Sequence, residues 1–213
     1  MPESASGAFS APNGTRREGF LLGKKSDRWR AARTEGGLYP PILMGHPSAD
    51  EPGGRGSSAT ARIRGGPLAP EISGFVHFVD VPGGTWVCAE INGLPAYRPA
   101  EAGRPPVGPH GFHLHEFGSC AIGDPGDPFL AAGPHWNPDA QPHGNHAGDF
   151  PVLFSNHGRA RMCFFTDRFK VADVVGRAVI IHENPDDYRT QPAGASGRRL
   201  ACGVVRWDEA PSG

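Results

Sequence analysis

Ten histidines occur in the 213 residues, and seven of them (His110, His113, His115, His135, His143, His146, His157) fall between positions 110 and 157. Three segments could do chemistry with them. In His110-Gly111-Phe112-His113-Leu114-His115-Glu116-Phe117-Gly118, the H-x-H spacing suits a strand. Residues i and i+2 then share a face about 6.5 Å apart. His113 and His115 can therefore converge on one ion while Phe112 and Leu114 point into a core. The second segment places His135, His143, His146 and Asp149 within fifteen residues of a Gly/Pro-rich stretch. Imidazole and carboxylate are zinc ligands in tetrahedral geometry. In the third, Val179-Ile180-Ile181-His182-Glu183-Asn184-Pro185-Asp186-Asp187, a β-branched run ends in a histidine followed by two aspartates.

The elements that must position these groups are short strands. Gly (31) and Pro (23) make up about a quarter of the chain, which suits a turn-rich β-fold better than a helical one. Alternating runs read as strands at Ser58–Arg64, Ile72–Val81, Thr85–Asn92, His110–Phe117, Asp149–Phe154, Arg159–Thr166, Gly176–His182 and Leu200–Trp207. Pro82-Gly83-Gly84 marks a hairpin between the second and third. About eight short strands without a long helix predict an all-β antiparallel barrel or sandwich with long loops carrying the histidines. Residues 1–57 lack any sustained period and read as a disordered extension before a domain spanning 58–213. Their basic run (Arg16, Arg17, Lys24, Lys25, Arg28, Arg30, Arg33) reads as a solvated tail.

Bulk properties exclude several classes. The formal net charge of −1 speaks against a nucleic-acid binder. No run of about 18 apolar residues predicts a membrane span. The first residues lack a charged start followed by an apolar core, so a cytoplasmic location is the default reading, with export left open if the true start lies elsewhere. Met44 is an alternative start that would lose no domain. Four cysteines without a C-x-x-C pair argue against zinc-finger and thioredoxin-type sites. A zinc hydrolase built on H-x-H would need a general base beside an open zinc position, and no such pattern stands out.

The order G-F-H-x-H-E-F-G, G-x-H-x-N-P, H-A-G-D, V-I-I-H-E-x-x-D-D and R-L-A-C-G-V over residues 58–207 resembles the copper/zinc superoxide dismutases, most closely their bacterial members. The resemblance implies an eight-stranded Greek-key β-barrel that disproportionates superoxide, with copper and zinc as cofactors. It implies copper ligands His113, His115, His135 and His182, and zinc ligands His135, His143, His146 and Asp149, with His135 as the bridge. Nitrogen-only ligation also suits Cu(II). Asp186 would link a copper-side histidine to a zinc-side one. Cys120 and Cys202 would form a disulfide worth about 4–5 kcal/mol in the chain-entropy model, while Cys88 and Cys163 read as small core residues. Arg199 would position the superoxide anion, with Arg198 as the competing candidate. His135 would exchange a proton during turnover. In the best-known members the two zinc histidines after the bridge lie farther apart; here only Gly144 and Asn145 separate them. A glycine-containing turn can bring such a pair onto one ion. The competing reading is a non-enzymatic metal-binding module of the same fold. The faces of this family pair in different ways, so a homodimer is left open as the assembly.

Overall fold

The computed structural model describes residues 57–99, 101–103 and 106–209. The expectations for the N-terminal extension, its basic run and Met44 therefore lie outside the described residues, save residue 57. Among the described residues, seven strands form one antiparallel sheet: β1 (Ser58–Gly65), β2 (Ser73–Val81), β3 (Gly84–Asn92), β4 (Phe112–His115), β5 (Ala160–Thr166), β6 (Ala178–His182) and β7 (Arg199–Trp207). The spatial order is β4-β6-β7-β1-β2-β3-β5. Among the described residues, helical structure is limited to a four-residue helix, α1 (Val171–Val174), and one 3₁₀ turn at Leu130–Ala132. No helix among the described residues is long and apolar enough to cross a membrane.

The sheet curls around a core that follows the period of two along each strand. Ala59, Ala61 and Ile63 of β1, Val76 and Phe78 of β2, and Val87, Ala89 and Ile91 of β3 are buried in it. The β2–β3 hairpin turns on Pro82-Gly83, with Val81 opposite Gly84 and Gly83 at φ +86°. Proline pre-sets φ at the first turn position, and glycine takes the left-handed conformation at the second without steric cost. β6 is buried at all five positions. Its inner face (Val179, Ile181) joins the main core, and its outer face (Ala178, Ile180) packs in a second cluster with Phe129, Ala132 and Cys202. A strand covered on both sides needs a continuous apolar run, which is what Ala178–Ile181 supplies.

The expected strand at Asp149–Phe154 is not one. That segment meets β4 through single bridges, His113 opposite Asp149 and His110 opposite Leu153. Phe150 and Leu153 donate backbone N–H groups to Phe112 (3.3 Å) and His110 (2.9 Å). The register slips by one residue between these bridges, and Tyr188 takes the intervening ladder groups, its hydroxyl donating to the Phe150 carbonyl and accepting the Val152 N–H, both at 3.0 Å, so no continuous ladder forms. The segment instead straps the edge of β4, leaving seven strands rather than eight and shielding an otherwise open edge.

Cys88 and Cys163 also depart from expectation. They are directly opposed on β3 and β5 and form a disulfide with Cα atoms 4.1 Å apart. Val87 and Ala89 fill the core side, so strand alternation puts Cys88 on the outer face. Cys120 and Cys202 form the expected disulfide, 82 residues apart in sequence.

Candidate metal centre

Strand alternation on β4 sends Phe112 and Leu114 into the core and His113 and His115 to the opposite face. His182 ends β6, where a register shift between Ile181 and His182 sets it opposite Arg199. A bulge at such a place re-aims a side chain. His135 comes from the long β4–β5 connection, yet it is pinned to β4. It bridges to His115, and the next residue, Trp136, donates its N–H to the Leu114 carbonyl at 2.8 Å. The Trp136 ring is buried against Phe169, with the Arg177 guanidinium 4.4 Å from its centroid.

Two ligand clusters result. Ligand atoms of His113, His115, His135 and His182 lie within 4.8 Å of one another, as do those of His135, His143, His146 and Asp149. His135 belongs to both. Every sequence-predicted ligand is thus brought together, and all seven histidine and carboxylate side chains are largely buried.

The outer contacts fix which ring nitrogen faces inward. His115 Nδ1 lies 2.9 Å from the Gly133 carbonyl, and His182 Nδ1 lies 3.2 Å from that of Gly197. A carbonyl only accepts, so both Nδ1 atoms carry the proton and both Nε2 atoms present lone pairs. Those two Nε2 atoms stand 3.3 Å apart. Two neutral rings cannot hydrogen-bond in that arrangement, whereas a cation between them satisfies both. Asp186 holds His113 Nε2 through one oxygen (2.7 Å) and His143 Nε2 through the other (2.8 Å). This leaves His113 Nδ1 and His143 Nδ1 facing the clusters. Along with His135 Nε2 and His146 Nδ1, they are buried and make no hydrogen bond. Inward-facing nitrogens oriented by outer carbonyls and a carboxylate are the pattern of a metal site.

Electrostatics favour the ligand form. Burial pushes His113 and His115 well below the usual histidine range, reinforced by neighbouring histidines. Burial and His135 push His182 down to about 3. Burial also lowers His135, against an opposing contribution from Asp149. Neutral imidazole is the state that binds metal. For Asp149, burial acts to raise the pKa, but His135 and the other histidines outweigh it and hold the carboxyl below its ordinary value.

The short His143–His146 spacer closes through its backbone. Asp149 Oδ2 accepts the N–H groups of Gly144 (2.8 Å) and His146 (3.0 Å). Gly144 has φ +93°, and a Cβ there would meet the Tyr188 carbonyl oxygen at 2.5 Å, so the spacer needs glycine. Two residues that the sequence reading missed brace this turn. Gln191 Oε1 accepts the His143 N–H (2.8 Å) and its Nε2 donates to the His143 carbonyl (3.3 Å). Arg168 Nη1 donates to the carbonyls of Asn145 (2.8 Å) and His146 (3.1 Å). Neither lies in a histidine motif, and nothing in their local spacing announces the contact.

The two neighbouring arginines part ways. Arg199 donates to the carbonyls of Phe129 (2.6 Å) and Gly133 (2.7 Å), and the Gly133 carbonyl is the one that also takes the His115 ring. Arg198 turns to the surface and grips Glu183 with a two-pronged pair at 2.9 and 2.8 Å. Arg199 is therefore the guanidinium beside the first cluster.

Comparison with known proteins agrees with this geometry. The family profile for copper/zinc superoxide dismutase (SODC) matches residues 72–205. A "Superoxide dismutase [Cu-Zn]" of Deinococcus radiodurans is 38% identical, over 64% of this chain and 78% of its own length. One from Legionella pneumophila is 34% identical, over 64% and 80%. The solved structure of a Cu/Zn superoxide dismutase from Brucella abortus aligns with TM-score 0.56 at 31% identity, covering 70% of this chain and 99% of that one. With both donor sets complete, the non-enzymatic alternative is not favoured. The chain belongs to the copper/zinc superoxide dismutase family, and is a copper- and zinc-dependent oxidoreductase acting on superoxide.

Proposed function

We propose that His113, His115, His135 and His182 hold the copper, that His135, His143, His146 and Asp149 hold the zinc, and that Arg199 receives the superoxide. The observation that carries this reading is the pair of donor sets sharing His135, with ring nitrogens that make no hydrogen bond turned inward, those of His143 and His146 each 3.2 Å from an Asp149 oxygen. Bound copper supplies the one-electron couple, and bound zinc a fixed positive charge beside the shared ring.

The remaining work falls to the chain. Arg199 keeps its charge at any working pH and is tied by two carbonyls, so its guanidinium is pre-positioned to attract and orient a small anion. His135 holds and releases one proton at Nε2 while Asp149 steadies its Nδ1 side, at 2.9 Å. One superoxide gives up an electron and leaves as oxygen. A second gains that electron and two protons, one from His135 and one from solvent, and leaves as hydrogen peroxide. Apart from Lys170, the described domain has no lysine, so steering rests on arginine. The two disulfides support an oxidising compartment.

The test is metal content by mass spectrometry on the reconstituted full chain, with a dismutation assay on the same sample. One copper and one zinc per chain with rapid turnover is the expected result. Copper with activity but no zinc would remove the second assignment. Arg199→Ala should keep both metals and lose about 10–10³-fold in rate, the range that electrostatic focusing spans. Full activity in that variant would end the role given to Arg199.

A further inference from the structure

His110 opens the first histidine motif, and neither donor set uses it. Its side chain is fully buried, and its Nδ1 lies 3.0 Å from the backbone carbonyl of His182. That carbonyl can only accept, so Nδ1 carries a proton, and the tautomer this contact selects presents its lone pair at Nε2. His110 Nε2 makes no hydrogen bond among the described residues. The same holds for a second buried atom, Arg98 Nη1. Both residues line one cleft of about 280 Å³, whose walls include Leu68, Pro95, Val107 and Leu200. Glu183 also borders it, but its carboxylate is held by Arg198 in the two-pronged pair, so its charge is matched locally.

A cleft with apolar walls and a few convergent polar groups is the usual form of a small-molecule site. The two buried groups are complementary in kind, one a cationic donor and the other a lone-pair acceptor. Burying either without a partner forfeits its hydration, so a ligand that meets both recovers that cost. We propose that this cleft binds a small oxyanion that still carries a hydroxyl, its charged oxygen accepting from Arg98 Nη1 and its O–H donating to His110 Nε2. Hydrogen phosphate and hydrogen carbonate share this chemistry. The site touches the metal centre through the main chain of His182. His110 holds the His182 carbonyl, the His182 N–H donates to Gly111 at 2.8 Å, and the Gly111 N–H donates to Asn184 at 2.7 Å. Arg199 is not among its lining residues.

The experiment is a titration of the full chain, loaded with copper(I) and zinc, with inorganic phosphate and separately with hydrogen carbonate. Chloride at matched ionic strength is the control, and the histidine ring nitrogens are followed by NMR. A saturable shift of His110 Nε2 is expected with at least one oxyanion and not with chloride, and the tighter of the two identifies the ligand. Arg98→Gln should weaken it by about tenfold or more, the worth of a hydrogen bond to a charged group, with dismutation unchanged. His110→Gln, whose amide oxygen can accept, should retain more binding than His110→Phe. The proposal is overturned if chloride gives the same shift, if only groups around Arg199 respond, if His110 shows no response, or if Arg98→Gln binds as tightly as the parent chain.

Discussion

The two halves of the metal centre are built by different means. Three of the four histidines in the first cluster sit on or at the end of paired strands, where the β4–β6 ladder sets His113 opposite Ile180 and His115 opposite Ala178. Their positions follow from backbone hydrogen bonds and a packed core below. The second cluster lies on a connection without a ladder. Its geometry is imposed by a few side chains: its own member Asp149 onto Gly144 and His146, and, reaching in from elsewhere, Gln191 onto His143 and Arg168 onto Asn145 and His146. Asp186 ties the halves together through His113 and His143. A ladder spreads the work of positioning over many bonds, whereas a braced loop depends on a few. Single substitutions outside the ligands should therefore disturb the zinc side more than the copper side.

The largest effect should come from His182→Ala, which removes a ligand from the ladder-built half. Copper content and dismutation should fall to background, while zinc content stays near one per chain. Loss of zinc instead of copper would reverse the assignment of the two clusters.

Acid should expose the burial of the first cluster in metal-free protein. His113, His115, His135 and His182 have folded pKa values below the ordinary 6.5, with His182 at about 3. The unfolded chain then binds more protons as pH falls below 6.5, so stability present above that value is lost progressively towards pH 3. Each unit of depression is worth about 1.4 kcal/mol. Denaturant melts of the metal-free chain between pH 7 and 4 should show a falling midpoint, and loaded protein should resist the fall. A flat profile without metal would mean that the histidines are not held neutral.

Asp186→Ala tests the tie. Outer partners of metal ligands typically contribute about 10–100-fold in affinity. Zinc affinity measured by competition with a chelator should fall by that range, and copper affinity by less, because His113 keeps its strand. Equal losses would place the two halves on the same footing.

Arg168→Ala should have the smallest effect. It removes a brace from two loop carbonyls without touching a ligand ring, so zinc affinity should fall by no more than about tenfold and copper content should not change. A change in copper content would show that the zinc loop supports the ladder as well.

Much of this was legible in the chain. Alternation placed Phe112 and Leu114 inward and left His113 and His115 to share a face, and the ordered motifs marked the other residues of the two clusters that share His135. Alternation also carried a signal that went unread: with Val87, Ala89 and Ile91 as the core set, Cys88 had to face outward, where Cys163 meets it. The strand expected at Asp149–Phe154 failed because hydrophobic pattern says nothing about Tyr188, whose hydroxyl takes the Phe150 carbonyl and the Val152 N–H, nor about Asp149 being engaged with the loop.

The sequence by itself determined residue types, their spacing and the faces that they share within one strand, because the period of two is local and needs no partner. Only the tertiary structure decided which distant groups meet. The bracing of His143 by Gln191 crosses 48 residues, the separation of Arg199 from Arg198 depends on carbonyls 66 and 70 residues away, and the Cys88–Cys163 bond spans 75. Such contacts arise from how the sheet curls and where its loops return. Spacing along the chain carries no record of them.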